Sequence, residues 1–316
     1  MAHAGREHLE VAETVLKEAG FAISQPCVSR PSCFDFAARK DRNLILVKIQ
    51  RDVGNLTLND SQELREIAGN FSAASMLIGE EARERPLEDD TIYRRHNIFA
   101  MNPKTFENVV LHNVRPLIQA SPGGYYVEID GETLRQRRQE LGLSVGEVAD
   151  MVSISRRTIY GYERGLAKAS VPAAYNLVRA LGIPVARSVN IFQQPVGQHK
   201  NCLLTTARRV FGRNKLLSRI FRKLAPLHIT TVKKAPFDFI MFIPEQKMRI
   251  IGGVSNAKEP QLDMRIDEIL SVSKVVRARP ILITEGPATS EKNIPCISCE
   301  DFSKIKRPED LIASVK

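Results

Sequence analysis

The chain has 316 residues, 43% hydrophobic and 26% charged, with a net charge of +10 at pH 7. This is the composition of a folded protein of two or three domains and excludes a disordered chain. No apolar run approaches the ~18 residues that span a bilayer, and acids within the first twenty residues exclude a signal peptide, so a cytoplasmic protein with no membrane contact is expected.

The positive charge has an address. Residues 131–187 carry 9 basic and 5 acidic side chains, and residues 188–237 carry 10 basic and no acidic ones. From Glu163 to Asp238 no carboxylate intervenes over 74 residues. Such a stretch draws a polyanion through its field and through counterion release, so the middle third is expected to face nucleic acid. Five scattered cysteines fit free thiols rather than a disulfide framework.

In chain order, "VLKEAGFAISQPCVSRPSCFDF" from Val15 reads as the end of an amphipathic helix, a turn and a first strand. Asp35 opens the next strand, and Lys48 lies in "NLILVKIQ", one bent strand or two. "LNDSQELREIAGNFSAASMLIGE" reads as a helix followed by an apolar strand, and "NIFAMNPKTFENV" closes the set. "SPGG" at 121–124 reads as a linker, and "YYVEID" as a short strand leading into the middle of the chain.

From Gly131 to Pro184 the pattern is helical. A first helix at about 132–140 carries Leu134, Arg138 and Leu141 at helical spacing and stops at Gly142. Ser144 with Glu147 three residues on forms a capping box for a second helix, whose buried side is Val148 and Met151. After the turn "VSI", Ser155 caps a third helix that exposes Arg156, Arg157 and Thr158, buries Ile159 and Tyr162, and ends at Gly165. A fourth helix at 171–181 presents Tyr175, Leu177, Val178 and Leu181. Two short helices around a tight turn, the second opening on basic and hydroxyl side chains, are the geometry that lays a helix in the DNA major groove. The stretch "LRQRRQELGLSVGEVADMVSISRRTIYGYERG" resembles the helix-turn-helix of Cro/cI type, a lambda-repressor-like, all-α module. The resemblance implies that Arg156, Arg157, Thr158 and Tyr160 read DNA, with Ser155 at the same helix start, and that Ser144 and Arg164 touch phosphates. Two positions depart from it: Val145 stands where many members have glutamine, and Gly161 sits inside the third helix at a cost of roughly 1 kcal/mol against alanine, unless something must approach closely there.

The segment 205–224 reads as an amphipathic helix burying Val210, Leu217, Ile220, Phe221 and Leu224, with Arg208, Arg209 and Arg213 on a phosphate-binding outer face. Beyond it the chain repeats itself. "IFRKLAPLHITTVKKAPFDF" aligns with the first segment and places Asp238 on Asp35; "KMRIIGGV", "LDMRIDEILSVSKVVRARPILITEG" and "NIPCISCEDFSKI" follow in the same order. An internal repeat around a central module is expected, with domains at 1–120, 121–190 and 191–316. The order helix–strand–strand–helix–strand resembles the restriction-endonuclease-like α/β fold, as in archaeal Holliday-junction resolvases, over about 8–115 and 205–310. That resemblance implies a metal held by an aspartate and an (Asp/Glu)-x-Lys pair. Copy one has Asp35 and Lys48, but Leu46 replaces the second acid and cannot ligate a hard cation. Copy two keeps Asp238 and has neither acid nor lysine on its strand. Both sites therefore read as vestigial, with Asp52 the one candidate for a relocated acid. "CISC", Cys296 to Cys299, has half-zinc-site spacing but no second pair, and Cys296 aligns with Ala100; a structural role is expected. No nucleotide or other cofactor motif is present.

The chain thus resembles archaeal Cro/cI-type regulators whose helix-turn-helix is embedded between degenerate endonuclease-like domains. The expectation is a sequence-specific double-stranded-DNA-binding transcriptional regulator, acting as a homodimer and without catalysis. A metal-dependent nuclease using Asp35 and Lys48, and a protein-interaction scaffold, are the rivals.

Overall fold

The structure, a computed structural model, describes residues 2–193, 228–255, 259–284, 293–298 and 301. Helix α1 (Ala2–Glu18) turns at Gly20 into β1 (Ala22–Ile23). An irregular stretch reaches Asp35 and β2 (Phe36–Lys40), and a turn at Asp41 returns the chain as β3 (Asn43–Ile49), a single strand. Thr57 caps α2 (Leu58–Phe71) by accepting from the Asp60 N–H at 3.1 Å, and β4 (Ala74–Ile78) follows with every residue buried. The short hairpin of β5 (Glu81–Ala82) and β6 (Arg85–Pro86) precedes β7 (Thr91–Arg95), β8 (Ile98–Met101) and α3 (Pro103–Val110), which Asn102 caps. β1, β2 and β3 are antiparallel, whereas β3–β4 and β4–β8 are parallel, joined by helical or looped crossovers.

The middle of the chain supplies β9 (Ile118–Ser121), β10 (Gly124–Ile129), α4 (Gly131–Glu140), α5 (Val145–Met151), α6 (Arg156–Glu163), β11 (Ala169–Ser170), α7 (Val171–Leu181) and β12 (Ala186–Arg187). Residues 121–124 are not a linker. Ser121 faces Gly124 across a two-residue turn at Pro122–Gly123, and Gly123 has φ +101°, a backbone that an L side chain resists. β9 pairs with β7, so one sheet runs β1-β2-β3-β4-β8-β7-β9-β10-β11, with β12 also on β10. Nor is the central module all-α. Val127 and Ile129, two apart on one face of β10, are buried with Ala169 and Val185 among Leu134, Val148, Ile159 and Leu177. Four short helices leave one apolar side open, and the strands close it.

The last part contains β13 (His228–Thr231), β14 (Phe239–Ile243), β15 (Met248–Ser255), α8 (Leu262–Val276), β16 (Arg279–Thr284) and β17 (Cys296–Ser298). Its sheet, β13-β14-β15-β16-β17, is antiparallel, antiparallel, parallel, parallel, the sequence of pairings in β1-β2-β3-β4-β8. α8 joins β15 to β16 as α2 joins β3 to β4. Register carries the equivalence to single residues: Asp35 N–H donates to Val47 O and Asp238 N–H to Gly252 O, and Leu77 pairs with Ala100 as Leu282 pairs with Cys296.

These two units share a core. Phe34 and Phe237 meet at 6.4 Å between ring centroids, and Leu64, Ile67, Ile240, Ile266 and Ile269 are buried in the same cluster. Each such side chain contributes up to about 1.5–3 kcal/mol by leaving water. Polar contacts cross the seam in both directions. Glu63 on α2 accepts from the Lys233 and Lys234 N–H groups, and Glu268 on α8 accepts from those of Val28 (2.8 Å) and Ser29 (2.7 Å). Arg39 donates to Val275 O and Val276 O at the end of α8, and Arg249 donates to Asn70 O at the end of α2. The opposite face of the first sheet is covered by α1 and α3 through Val15, Leu16, Phe36, Met76 and Phe106. Among the described residues no helix is long and apolar enough to cross a membrane.

Candidate nucleic-acid interface and the two acidic sites

Local chemistry builds the central helices as the sequence suggests. Asp130 caps α4, and Gly142 ends it at φ +67°. Ser144 Oγ accepts from the Glu147 N–H at 3.1 Å while Glu147 accepts from the Ser144 N–H at 2.7 Å, a complete capping box. Ser155 Oγ caps α6 through the Thr158 N–H at 3.1 Å and lies 2.8 Å from Thr158 Oγ1. Gly165, at φ +66°, ends α6.

α6 buries Ile159 and Tyr162 and exposes Ser155, Arg156, Arg157, Tyr160 and Arg164, with Thr158 half-buried. The Arg156 guanidinium crosses to the first turn of α5: a Cβ on Gly146 would lie 3.0 Å from its Nε. Gly161 is explained inside the protein, since a Cβ there would meet the Ala167 Cβ at 3.2 Å while Gly161 O accepts from the Leu166 N–H. One burial expectation fails, and a second side chain singled out by its helical spacing is also exposed. Met151 is 54% exposed, because it ends α5 beyond the contact with α6, and Tyr175 is 62% exposed, its ring 5.9 Å from Arg179 rather than in the core. Leu141, past the end of α4, is exposed as well.

One positioning pair is not evident from the sequence. Glu163, only 7% exposed, ends α6 and accepts from Arg138 Nε at 2.6 Å and Nη2 at 3.3 Å, which keeps the Arg138 guanidinium more firmly protonated than usual. Arg135 lies 3.6 Å from the same carboxylate. At Gly131 a Cβ would fall 2.5 Å from Tyr162 O and Glu163 O, so only glycine lets α4 start against the end of α6. The available signal was Arg138 itself, a charged residue on the apolar stripe of α4. Arg208, Arg209 and Arg213, with the helix expected at 205–224, lie outside the described residues.

The two aspartates occupy equivalent places and hold different partners. Asp35 accepts from the Ile49 N–H at 2.5 Å and from Lys48 Nζ at 2.8 Å, and Lys48 also donates to Ser32 O at 3.1 Å. Leu46, fully buried, points no donor at them. Asp52 is committed elsewhere, accepting from the Gly54 N–H at 2.7 Å and the Arg83 N–H at 3.0 Å. Asp238 accepts from the Val254 N–H at 2.6 Å, the counterpart of Ile49, and from two arginines. Arg30 of the first unit donates at 2.9 Å, and Arg265 on α8 donates from a side chain 1% exposed. Gly253 stands at the Lys48 position, where a Cβ would meet Ile269 Cδ1 at 2.9 Å and Leu282 Cδ1 at 3.2 Å, with Arg265 Nη2 next at 3.5 Å. Arg265 is further held by Pro236 O, Val254 O and both Glu259 oxygens. Among the described residues no group of three His, Cys, Asp or Glu could hold a metal. Burial pushes the thiols of Cys27 and Cys33 well above the ordinary value, so both stay protonated in the shared core; Cys299 lies outside the described residues.

A capped helix-turn-helix grown from the edge of an endonuclease-type α/β sheet defines a DNA-binding regulator on a nuclease-like scaffold. Comparison with known families agrees: residues 6–116 match the PD-(D/E)XK superfamily domain, and residues 134–187 match the helix-turn-helix family. A relative from Methanothermobacter thermautotrophicus, provisionally named an HTH-type transcriptional regulatory protein, is 40% identical over 97% of this chain and 95% of its own. A similarly named protein of Methanocella arvoryzae is 40% identical over 94% and 91%, and one of Pyrococcus furiosus 26% over 97% and 96%. The chain belongs to this archaeal family of HTH-type transcriptional regulatory proteins.

Proposed function

We propose that the protein regulates transcription by occupying specific double-stranded DNA as a homodimer, without covalent chemistry. The observation that carries this reading is α6, which leaves Arg156, Arg157 and Tyr160 exposed on a helix anchored from behind by Ile159, Tyr162 and Glu163. Arg157 and Tyr160 are assigned to base edges. Arg156, which the sequence places with Arg157 at base edges, lies over the first turn of α5 and is assigned instead, with Ser144, Ser155, Thr158 and Arg164, to the phosphate backbone, taking the place of the glutamine that Val145 replaces.

In the same reading residues 1–120 and 191–316 are degenerate endonuclease-like domains around a DNA-reading module at 121–190, in a cytoplasmic protein. Leu46, the commitment of Asp52 to a turn, and the filling of the second site by Arg265 support a non-catalytic role for both flanks. Because the flanks bury each other within one chain, two-fold pairing on a palindromic operator is assigned to other surfaces.

The test is selection of bound fragments from sheared genomic DNA of the source, in Mg²⁺ and in EDTA. A pseudo-palindromic motif with intact ends is expected in both. Cut ends confined to Mg²⁺ would replace this reading with a nuclease. On the recovered motif, Arg157→Ala is expected to lose about 1–3 kcal/mol and to relax specificity; unchanged specific affinity in a binding titration would remove α6 as the reader.

A further inference from the structure

The second unit carries a cationic hollow that neither the helix-turn-helix nor the acidic sites use. It opens at the ends of β15 and β16 away from Asp238, with a volume of about 520 Å³, and is lined by Gln246, Lys247, Met248, Arg249, Arg277, Ala278 and Arg279. Four of those seven residues are cations and none is an acid; Glu245, on the preceding turn, does not line it. Lys247, Arg277 and Arg279 are exposed and have no ion pair among the described residues. Arg249 is fixed, with its Nε on Asn70 O and its guanidinium 5.2 Å from the Phe242 ring centroid. Arg39 lies close by: burial and then the charges of Arg277 and Arg249 lower its pKa from the ordinary value. Like charges gathered without a counterion repel one another, and an anion would relieve that cost.

We propose that this hollow is a second DNA-backbone site, which contacts phosphates and no base edges. The proposal rests on the DNA-binding reading above. Its shape selects the ligand. The walls are the ends of exposed side chains with only Met248 and Ala278 apolar, so nothing encloses a small anion, whereas a duplex brings its own row of phosphates and is held by charge alone. Arg249 is tied to the carbonyl end of α2, and Arg39, beside the hollow, holds the carbonyl end of α8 from which Arg277 projects, so both sides of the seam brace the hollow.

The experiment uses the full chain and a mixed-sequence duplex of roughly six helical turns, about 60 base pairs, titrated over a range of salt concentrations. Every phosphate that the protein ceases to neutralise lowers the slope of log K against log salt by about 0.9. Arg277→Gln with Arg279→Gln is expected to reduce it by about two and to weaken binding at low salt roughly tenfold. Arg83→Gln with Arg85→Gln, an equal charge reduction on the exposed β5–β6 hairpin, serves as control and is expected to leave the slope unchanged. An unaltered slope in the Arg277/Arg279 variant, or an equal fall in the control, overturns the hollow while leaving the α6 assignment standing, because Arg157→Ala on the selected motif is read separately. A wild-type chain that binds neither duplex overturns both.

Discussion

Asp35 and Asp238 sit at the same point of two copies of one topology, yet they are stabilised in opposite ways. Asp35 is paired with Lys48 from the neighbouring strand, and both remain half-buried, with side-chain exposures of 23% and 21%. Asp238 has Gly253 where the strand lysine would stand and is gripped by Arg265 from α8 and Arg30 from the other unit. A buried aspartate at the head of a strand must be neutralised whether or not it does chemistry. The fold can satisfy that charge from any direction that brings a donor within reach. In the second unit the solution also ties the two units together.

The comparison is sharpest at Arg265. Arg265→Ala removes the main partner of a carboxylate 11% exposed and is expected to cost about 3–5 kcal/mol, read as a lower denaturant midpoint. A cost below that of Lys48→Ala would mean that Arg30 and the Val254 N–H suffice. Lys48→Ala is expected to cost about 1–2 kcal/mol, since Asp35 keeps the Ile49 N–H and partial solvent. A larger effect in Lys48→Ala than in Arg265→Ala would invert the assignment of which site is structural.

The smallest expected effect concerns the loop that the second unit lays on α2. Burial raises the Asp60 carboxyl, but hydrogen bonds from Lys234 and Thr57 outweigh it and hold the group below its ordinary 3.8, while the bond to Asp60 raises Lys234 above its ordinary value. A depressed carboxyl stabilises the fold fully above its unfolded pKa and loses that contribution as pH falls through its folded value. Stability is therefore expected to drop below about pH 4 by an amount that Asp60→Asn abolishes, under about 1 kcal/mol for a pair this accessible. An identical acid limb in Asp60→Asn would show that another carboxylate governs it.

Much of the molecule is legible in its residues alone, and the legible parts share a cause. Caps at Ser144 and Ser155, the box with Glu147, and stops at Gly142 and Gly165 are fixed by hydrogen bonds and backbone angles within four residues, so the sequence states them locally. The alignment of Asp35 with Asp238, and of Ala100 with Cys296, is readable because pairing order follows element order in both units.

Tertiary structure alone decided what those elements touch. Periodicity placed Met151 and Tyr175 on apolar faces, but which part of a face is covered depends on where a neighbouring helix ends. "SPGG" carries the residues of a linker and of a hairpin turn alike, and only the pairing of β9 with β7 makes it the latter, fastening the DNA-reading module to a sheet. The sequence by itself determined the local geometry of α6 and the leucine at position 46. The partners of Asp238, which lie in α8 and in the other unit, could be chosen only when the folded chain brought distant charges together, because the cost of a buried carboxylate is settled by whatever donor arrives in space.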